Sequence, residues 1–297
     1  MRLMRLSSLW SLSTLFYVFT ALFAAVCAYP FLLVLMSSLT DEVELIRNGY
    51  SLFPNQWSFV AYQAIFSTST IPRAYFVTIF ITLAGTAIAL IMTSMIAYAL
   101  SGRKLYYRNH INFIFYFTML FNGGLVSFYI LITRYLNLTD SIWVYIVPFV
   151  LNPWNMFLMR NFFNDIPDEL YESSRLEGAG EWRILWQIVL PLSLPALATI
   201  GLFYALMFWN SWQPALLFIN NDKLYSLQYI IMQIIRNIDI AQNIAVSSGV
   251  TQINAQRPPA FTVRLATAMV TIGPIIFLYP FLQKYFVGGL KVGAIKG

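Results

Sequence analysis

The sequence predicts an all-α fold, a polytopic transmembrane helical bundle of about six spans. Composition is the first reason. Hydrophobic residues make up 59% of the 297 and charged residues 10%, with a mean hydropathy of +0.67, whereas a soluble domain carries about a quarter charged residues. The second reason is continuity. The apolar runs are about 20 residues long, enough for a helix to cross about 30 Å of hydrocarbon, and they lack the alternating polarity of a membrane β-barrel.

The first run, about Leu12 to Leu39, follows Arg2 and Arg5. A cleavable signal sequence would have an apolar core of about 7–15 residues, so an uncleaved first span fits better. A lipoprotein reading of Ala24-Ala25-Val26-Cys27 meets a branched valine where a small residue is normally required. Five further spans are expected at roughly Ala74–Leu100, Ile111–Ile132, Ser141–Met159, Ile188–Trp209 and Leu265–Phe286. With the N-terminus inside, Arg2, Arg5, Arg103, Lys104, Arg108, Arg160, Arg175, Arg183, Lys284, Lys291 and Lys296 all face the cytoplasm. They are the larger share of the 18 Lys and Arg, although the outer loops hold more residues. The positive-inside bias therefore favours cytoplasmic N- and C-termini. The chain 1–297 then forms a single transmembrane domain. Its polar inner stretch lies at about 160–190, its outer segments at about 37–73 and 210–264, and its inner tail at 287–297.

Several function classes are poorly served by these residues. The formal net charge of +6 comes from short basic clusters between spans, a topology signal and not a nucleic-acid surface. Cys27 is the only cysteine and His110 the only histidine, so no disulfide, metal cluster or catalytic triad is expected, and no catalytic residue is assigned. The spans hold almost no charge, unlike carriers that move protons or sodium through mid-membrane carboxylates. The chain has no G-x-x-x-x-G-K-[ST] loop, so energy from ATP would have to come from a partner.

One polar stretch stands out between apolar spans: Ile166 to Pro195, IPDELYESSRLEGAGEWRILWQIVLPLSLP. Its charge density places it in water or against a soluble partner. Pro167 suits a helix start, and Asp168 and Glu169 suit the positive end of the helix dipole. Glu172 and Arg175, three apart, can pair on one face. Gly178 and Gly180 can stop the helix with positive φ, and a second helix is expected from Glu181 towards Pro191. A short helix held out on such a hinge suits docking.

This stretch resembles the EAA loop of ABC importer permeases, whose pattern is E-A-A, three residues, G, nine residues, I-x-L-P. Glu172 stands at the E, Gly178 at the G, and Ile188, Leu190 and Pro191 at I-x-L-P. Ser173 and Ser174 replace the two alanines, a departure that keeps the residues small. The wider segment ELYESSRLEGAGEWRILWQIVLPLSLPALATI is similar to the sugar-importing branch, in particular the maltose-type second permease. The resemblance implies a type I ABC importer permease in a bacterial cytoplasmic (inner) membrane. Its implied partners are a homologous second permease, an ATP-binding cassette ATPase dimer that binds ATP and Mg, and an extracytoplasmic solute-binding protein. The chain itself would hold no cofactor. Glu172 would anchor the ATPase, Ser173 and Ser174 would pack into its cleft, and Glu177, Gly178, Ile188, Leu190 and Pro191 would complete the coupling element. Likeness to the branch handling complex polysaccharides leans the substrate towards acidic glycans such as alginate or pectin fragments.

The outer segment 210–264 contains LYSLQYIIMQII, Leu224–Ile235, too short to span and read as a surface helix. Such a long loop either covers the bundle or touches a partner; the resemblance implies the solute-binding protein. Asn122-Gly123-Gly124, Asn152-Pro153 and Pro195 can each open a helix towards a cavity. Asn122, Asn152, Trp154, Asn155, Tyr204, Trp209 and Asn210 are the candidate sugar-contacting residues, since amides bond hydroxyls and aromatic faces stack on sugar rings. The same residues also serve as interfacial belts or helix glue. The tail FLQKYFVGGLKVGAIKG is either a flexible basic end or, by the resemblance, a second ATPase contact through Lys291 and Lys296. The competing functions are the same machinery for an amino acid or peptide, and a membrane-embedded enzyme. The latter lacks any visible acid–base or metal constellation.

Overall fold

The structure, a computed structural model, describes residues 3–67, 69–102, 105–247, 261–274 and 276. Regular structure among these is helical, apart from one isolated antiparallel bridge between Thr40 and Trp57. They fall into two compact units, one drawn from within 1–68 and 234–273, the other from within 69–233 and 274–297.

The first unit contains α1 (Leu3–Ser38), α2 (Glu42–Asn48), α3 (Val60–Phe66) and a helix over 261–274. Short polar locks order the segment that follows α1. Asp41 caps α2 by accepting from Val43 N at 2.9 Å, and Ser38 Oγ pairs with Tyr62 Oη at 2.8 Å. The Glu44 carboxylate accepts from both the backbone and side-chain amides of Asn55 and from Gln56 N. Glu42 supplies the cap that the helix over 261–274 lacks in its own sequence: its carboxylate accepts from Phe261 N, Thr262 N and Thr262 Oγ1 at 2.6–2.9 Å.

The second unit is organised on α4 (Thr70–Ser101), followed by α5 (Arg108–Leu120), α6 (Gly124–Ile130) and α7 (Pro153–Asn164). Then come α8 (Asp168–Leu176), α9 (Glu181–Ile184), α10 (Leu190–Leu192), α11 (Leu194–Trp209), α12 (Gln213–Phe218) and the start of α13 (Leu227–Ser247). On α4, Ile81, Gly85, Ala89, Thr93 and Ala97 recur every fourth residue and are all buried. On α11, Ala196, Ile200, Tyr204 and Phe208 do the same. A stripe of small residues lets two membrane helices approach closely where hydrophobic burial offers little drive. The approach is tight: a Cβ on Gly85 would sit 2.9 Å from the Phe208 ring, and one on Gly201 3.2 Å from Leu90. Tyr204 Oη pairs with Thr93 Oγ1 at 2.7 Å and accepts from Asn152 N at 3.0 Å, tying α11 to α4 and to the entry of α7.

Among the described residues, Ser13–Ser38 and Thr70–Ser101 are long and apolar enough to cross a membrane as single helices. Three of the expected spans are broken near residues that the sequence marks as able to open a helix. Arg108–Leu120 meets Gly124–Tyr135 at 115°, Ile142–Phe149 meets Pro153–Asn164 at 50°, and Glu181–Leu192 meets Leu194–Trp209 at 85°. The first break occurs where Gly124 takes φ +79 and Asn122 Oδ1 accepts its N–H at 2.8 Å. The second precedes Pro153, which lacks a donor, and the third falls at Ser193 between Pro191 and Pro195. Each bent pair can serve as one span, which brings the number of spans to five. The sixth, Leu265–Phe286, begins in the helix over 261–274, and apart from 276 its remainder lies outside the described residues. The expected surface helix at Leu224–Ile235 runs longer, as Leu227–Ser247.

Candidate functional site

The polar stretch folds as α8, a glycine turn and α9. Asp168 and Glu169 occupy the first turn of α8 after Pro167, and Arg175 the last, each complementing the helix dipole. Two bonds close the helix. Ala179 N donates to Ser174 O and Gly178 N to Arg175 O, both at 3.0 Å, with Gly178 at φ +81. This pair of bonds is the Schellman ending, which needs a left-handed residue and therefore favours glycine. Gly180 differs from the expectation: its φ is −73°, and it opens α9 as N-cap.

The two faces of α8 have different jobs. Tyr171, Ser174 and Arg175 turn inward. Ser174 is 8% exposed and donates to Leu170 O at 2.6 Å. Tyr171 Oη reaches Phe163 O at 3.3 Å, and its ring stacks on Tyr98 at 6.5 Å. The Arg175 guanidinium lies 6.0 Å above the Tyr171 ring and bonds Glu181 Oε1 at 3.1 Å. Tyr98, at the end of α4, donates to the other Glu181 oxygen. Burial, with the Asp168 charge adding to it, pushes the Tyr171 hydroxyl up to about 12, so it stays a neutral donor. Glu169, Glu172, Ser173 and Leu176, at helical i, i+3, i+4, i+7 spacing, form the outer face. Leu176 is 90% exposed.

One expectation is corrected here. Arg175 pairs with Glu181 and not with Glu172, because the turn at Gly178 brings α9 back beside the end of α8. Ser174, expected beside Ser173 in a partner's cleft, is buried in this chain while Ser173 is exposed. Adjacent residues on a helix point about 100° apart, and the Ser174 hydroxyl bonds back to Leu170 O within α8. Glu177 and Gly178 are exposed at the turn. Ile188, Leu190 and Pro191 lie on the arm that runs into α10, whose middle, Leu185–Val189, is π-helical. That arm buries Ile184, Leu185 and Val189 and exposes Trp182 and Trp186. An apolar inner face with tryptophans outside, at 85° to α11, suits a helix lying along the membrane interface. Between α8 and the ends of α4, α5 and α7 is an open cavity of about 1290 Å³. It is lined by Tyr98, Arg108, Asp165, Asp168, Glu172 and Glu181 among others.

The sugar-contact candidates are dispersed. Tyr204 is fully buried with its hydroxyl engaged, and Asn155 and Trp209 are buried. Asn152 caps α7 through Asn155 N, and Asn210 bonds Leu206 O and Gln228. Asn122 and Trp154 are exposed. None of the seven lines the cavity beside α8. Lys291 and Lys296 lie outside the described residues. Among the described residues no group of His, Cys, Asp or Glu could hold a metal ion. Tyr98 was missed by sequence reading, since a tyrosine near a span end reads as an interfacial residue.

Residues 101–292, which include all of α8 and the arm, match the family described as binding-protein-dependent transport system inner membrane component. The chain belongs to this family. It is therefore a membrane-spanning permease subunit of an ABC transporter and not an enzyme. The permease is 37% identical over 288 residues to YtcP of Bacillus subtilis, a polygalacturonan/rhamnogalacturonan transport system permease protein, covering 95% of this chain and 97% of that one. It is 38% identical over 273 residues to the protein LplC of the same organism, covering 92% and 90%. Its fold matches a chain in the crystal structure of a bacterial ABC transporter involved in the import of the acidic polysaccharide alginate. That match has a TM-score of 0.80 and 30% identity over 92% of this permease and 96% of that chain.

Proposed function

We propose that this permease forms half of the translocation path of an importer for acidic oligo- or polysaccharides in a bacterial cytoplasmic membrane. In this reading α8 is the coupling helix that docks on an ATPase subunit. The observation that carries the docking is the division of α8 into a locked inner face and a free outer one. Glu172 has no hydrogen-bond or ion-pair partner among the described residues, and Leu176 stands almost wholly in solvent. A carboxylate beside a bare leucine is ready for a partner with a cation next to an apolar pocket. The ATPase dimer would bind ATP and Mg, a homologous permease would complete the path, and an extracytoplasmic binding protein would deliver substrate to the outer loops. Of the relatives above, one belongs to a polygalacturonan/rhamnogalacturonan transport system and the other to an importer of the acidic polysaccharide alginate, which supports an acidic saccharide here. The tail with Lys291 and Lys296 would add a second ATPase contact, and the exposed Asn122, Trp154 and Asn210 are the retained candidates for touching substrate.

The test is co-purification of the cognate ATPase with the native chain, Glu172→Ala and Leu176→Ala. Both variants should lose most of the ATPase and of substrate-stimulated hydrolysis, while Ser174→Ala should keep ATPase binding. Full retention in Glu172→Ala and Leu176→Ala would remove the outer face of α8 from the interface. Binding of oligogalacturonides or alginate oligomers to the cognate binding protein, against neutral maltodextrins, tests the substrate class separately.

A further inference from the structure

Two arginines, Arg108 and Arg160, form no ion pair among the described residues. Arg108 opens α5, and Arg160 lies near the end of α7, which packs against α5. Asn112, which bonds Arg160, stands one helical turn after Arg108 on α5, so the α5–α7 contact brings Arg160 to the face of α5 that carries Arg108. The Nε of each is buried without an acceptor, although both side chains are partly exposed. Neither forms an ion pair among the described residues, although Asp165, Asp168, Glu169, Glu172 and Glu181 share the adjoining cavity with Arg108. Arg160 is held in place: Nη1 donates to Asn112 Oδ1 at 2.6 Å, and the guanidinium lies 5.2 Å over the Phe157 ring. Two like charges positioned together with orphaned donors mark a place where an anion completes the structure.

The surroundings say which anion. Both arginines sit at ends of apolar helices that form limbs of candidate spans. Tyr106 and Tyr107 immediately before Arg108, and Trp182 and Trp186 on the neighbouring arm, are all exposed aromatics. Aromatic belts mark headgroup depth, and basic pockets between membrane helices at that depth take anionic headgroups. We propose that Arg108 and Arg160, with Asn112, form a binding site for the phosphate of an anionic phospholipid headgroup. A bound lipid would neutralise the pair, satisfy the orphaned donors and fasten α5 to α7 beside the coupling element. The proposal rests on the membrane placement of the helices but not on ATPase docking at α8.

The experiment uses the full chain, extracted with whatever subunits accompany it, and exposed in mild detergent to mixed phosphatidylglycerol and phosphatidylcholine. Native mass spectrometry then counts retained lipid. The native chain should retain phosphatidylglycerol preferentially, and millimolar inorganic phosphate should not displace it. Arg108→Gln or Arg160→Gln should each lower retention about fivefold, the worth of one cation near an anionic surface. Arg108→Lys, which keeps the charge and the fold, should largely restore it, whereas Arg134→Gln, a charge loss elsewhere, should have no effect. Four results would each overturn the site: equal retention of the two lipids, displacement by free phosphate, a dominant effect of Arg134→Gln, or undiminished retention in the Arg108→Gln/Arg160→Gln double variant. Capture of an acidic protein in place of lipid would overturn it as well. Loss of ATPase binding with lipid retention intact would count only against the docking at α8.

Discussion

The turn at Gly178 gives the sharpest prediction, because the structure isolates a single cause. Gly178 has φ +81 and Gly180 has φ −73, and a Cβ built on either meets nothing within 4 Å. Substituting alanine therefore creates no clash at either position, and any difference comes from the backbone alone. At Gly178 an L-residue must enter the left-handed region, at a cost of about 1–2 kcal/mol. At Gly180 alanine adopts the existing conformation, and its gain from a stiffer unfolded chain of about 0.4–1 kcal/mol offsets its weakness as an N-cap. The Schellman bonds from Gly178 and Ala179 should thus open about 5–30 times more often in Gly178→Ala and change by less than twofold in Gly180→Ala.

Hydrogen exchange on a peptide covering 174–180 reads this directly. Gly178→Asn should fall between the two, because asparagine tolerates left-handed backbone better than alanine does. On the coupling reading, transport-linked ATP hydrolysis should fall in Gly178→Ala in step with the exchange. Equal exchange in Gly178→Ala and Gly180→Ala would refute the backbone account of this motif glycine. Faster exchange with undiminished coupling would separate the turn from the lever.

Tyr204→Phe should destabilise the protein by about 1 kcal/mol, the order of a membrane hydrogen bond, because Asn152 N loses its acceptor and Thr93 Oγ1 its partner. The thermal midpoint should drop while the substrate concentration for half-maximal stimulation holds; the opposite pattern would return Tyr204 to the substrate path. Asp140 accepts from Asn221 N at 2.9 Å and from Asn220 N at 2.5 Å, and these backbone bonds hold its carboxyl below the usual carboxylate range. A depressed folded value means the latch stabilises the turn above pH about 4 and is lost as pH falls below that. Amide exchange at 220–221, corrected for its intrinsic rate, should quicken in acid in the native chain. Asp140→Asn, which suits the φ of +55 there, should flatten the response; matching pH profiles would refute it.

Much of this was legible in the residues, and the misses share a cause. The start of α8 at Pro167, its end at Gly178 and the long apolar helices follow from local rules of capping, propensity and span length, which act within a few residues. Arg175 was misread because its partner, Glu181, comes from beyond the folded turn. The polar residues of so short a helix fit either face equally well until Tyr98, 83 residues before Glu181, fixes which one is inner. The Glu42 cap on the helix over 261–274 acts across a separation of 219 residues, with no sequence pattern to announce it. The prolines and glycines marked where the spans could break, but the 115°, 50° and 85° bends depend on what each limb packs against. Periodicity within a segment carries no information about that.

The attachments of α8 bear on how a docked subunit could move the bundle. Its side-chain tethers are individually weak: an ion pair at side-chain exposures of 33% and 56% is worth well under about 1 kcal/mol, and the guanidinium–tyrosine contact about 0.5–1 kcal/mol. Such contacts orient the helix but would slip under a coupling free energy of about 1–3 kcal/mol if they alone carried it. The chain itself is the stronger link. α8 continues from α7 through 165–167 and into α9 through the Gly178 turn, and Tyr98 adds a route to α4. The helices it reaches directly, α4, α7 and the arm leading to α11, pack on one another through the Gly85–Phe208 and Thr93–Tyr204–Asn152 contacts. Pushing on α8 therefore displaces a packed set of helices, and close-packed interiors pass displacement on with little loss. On this basis a stiff turn at Gly178 should matter more to coupling than the Arg175–Glu181 pair.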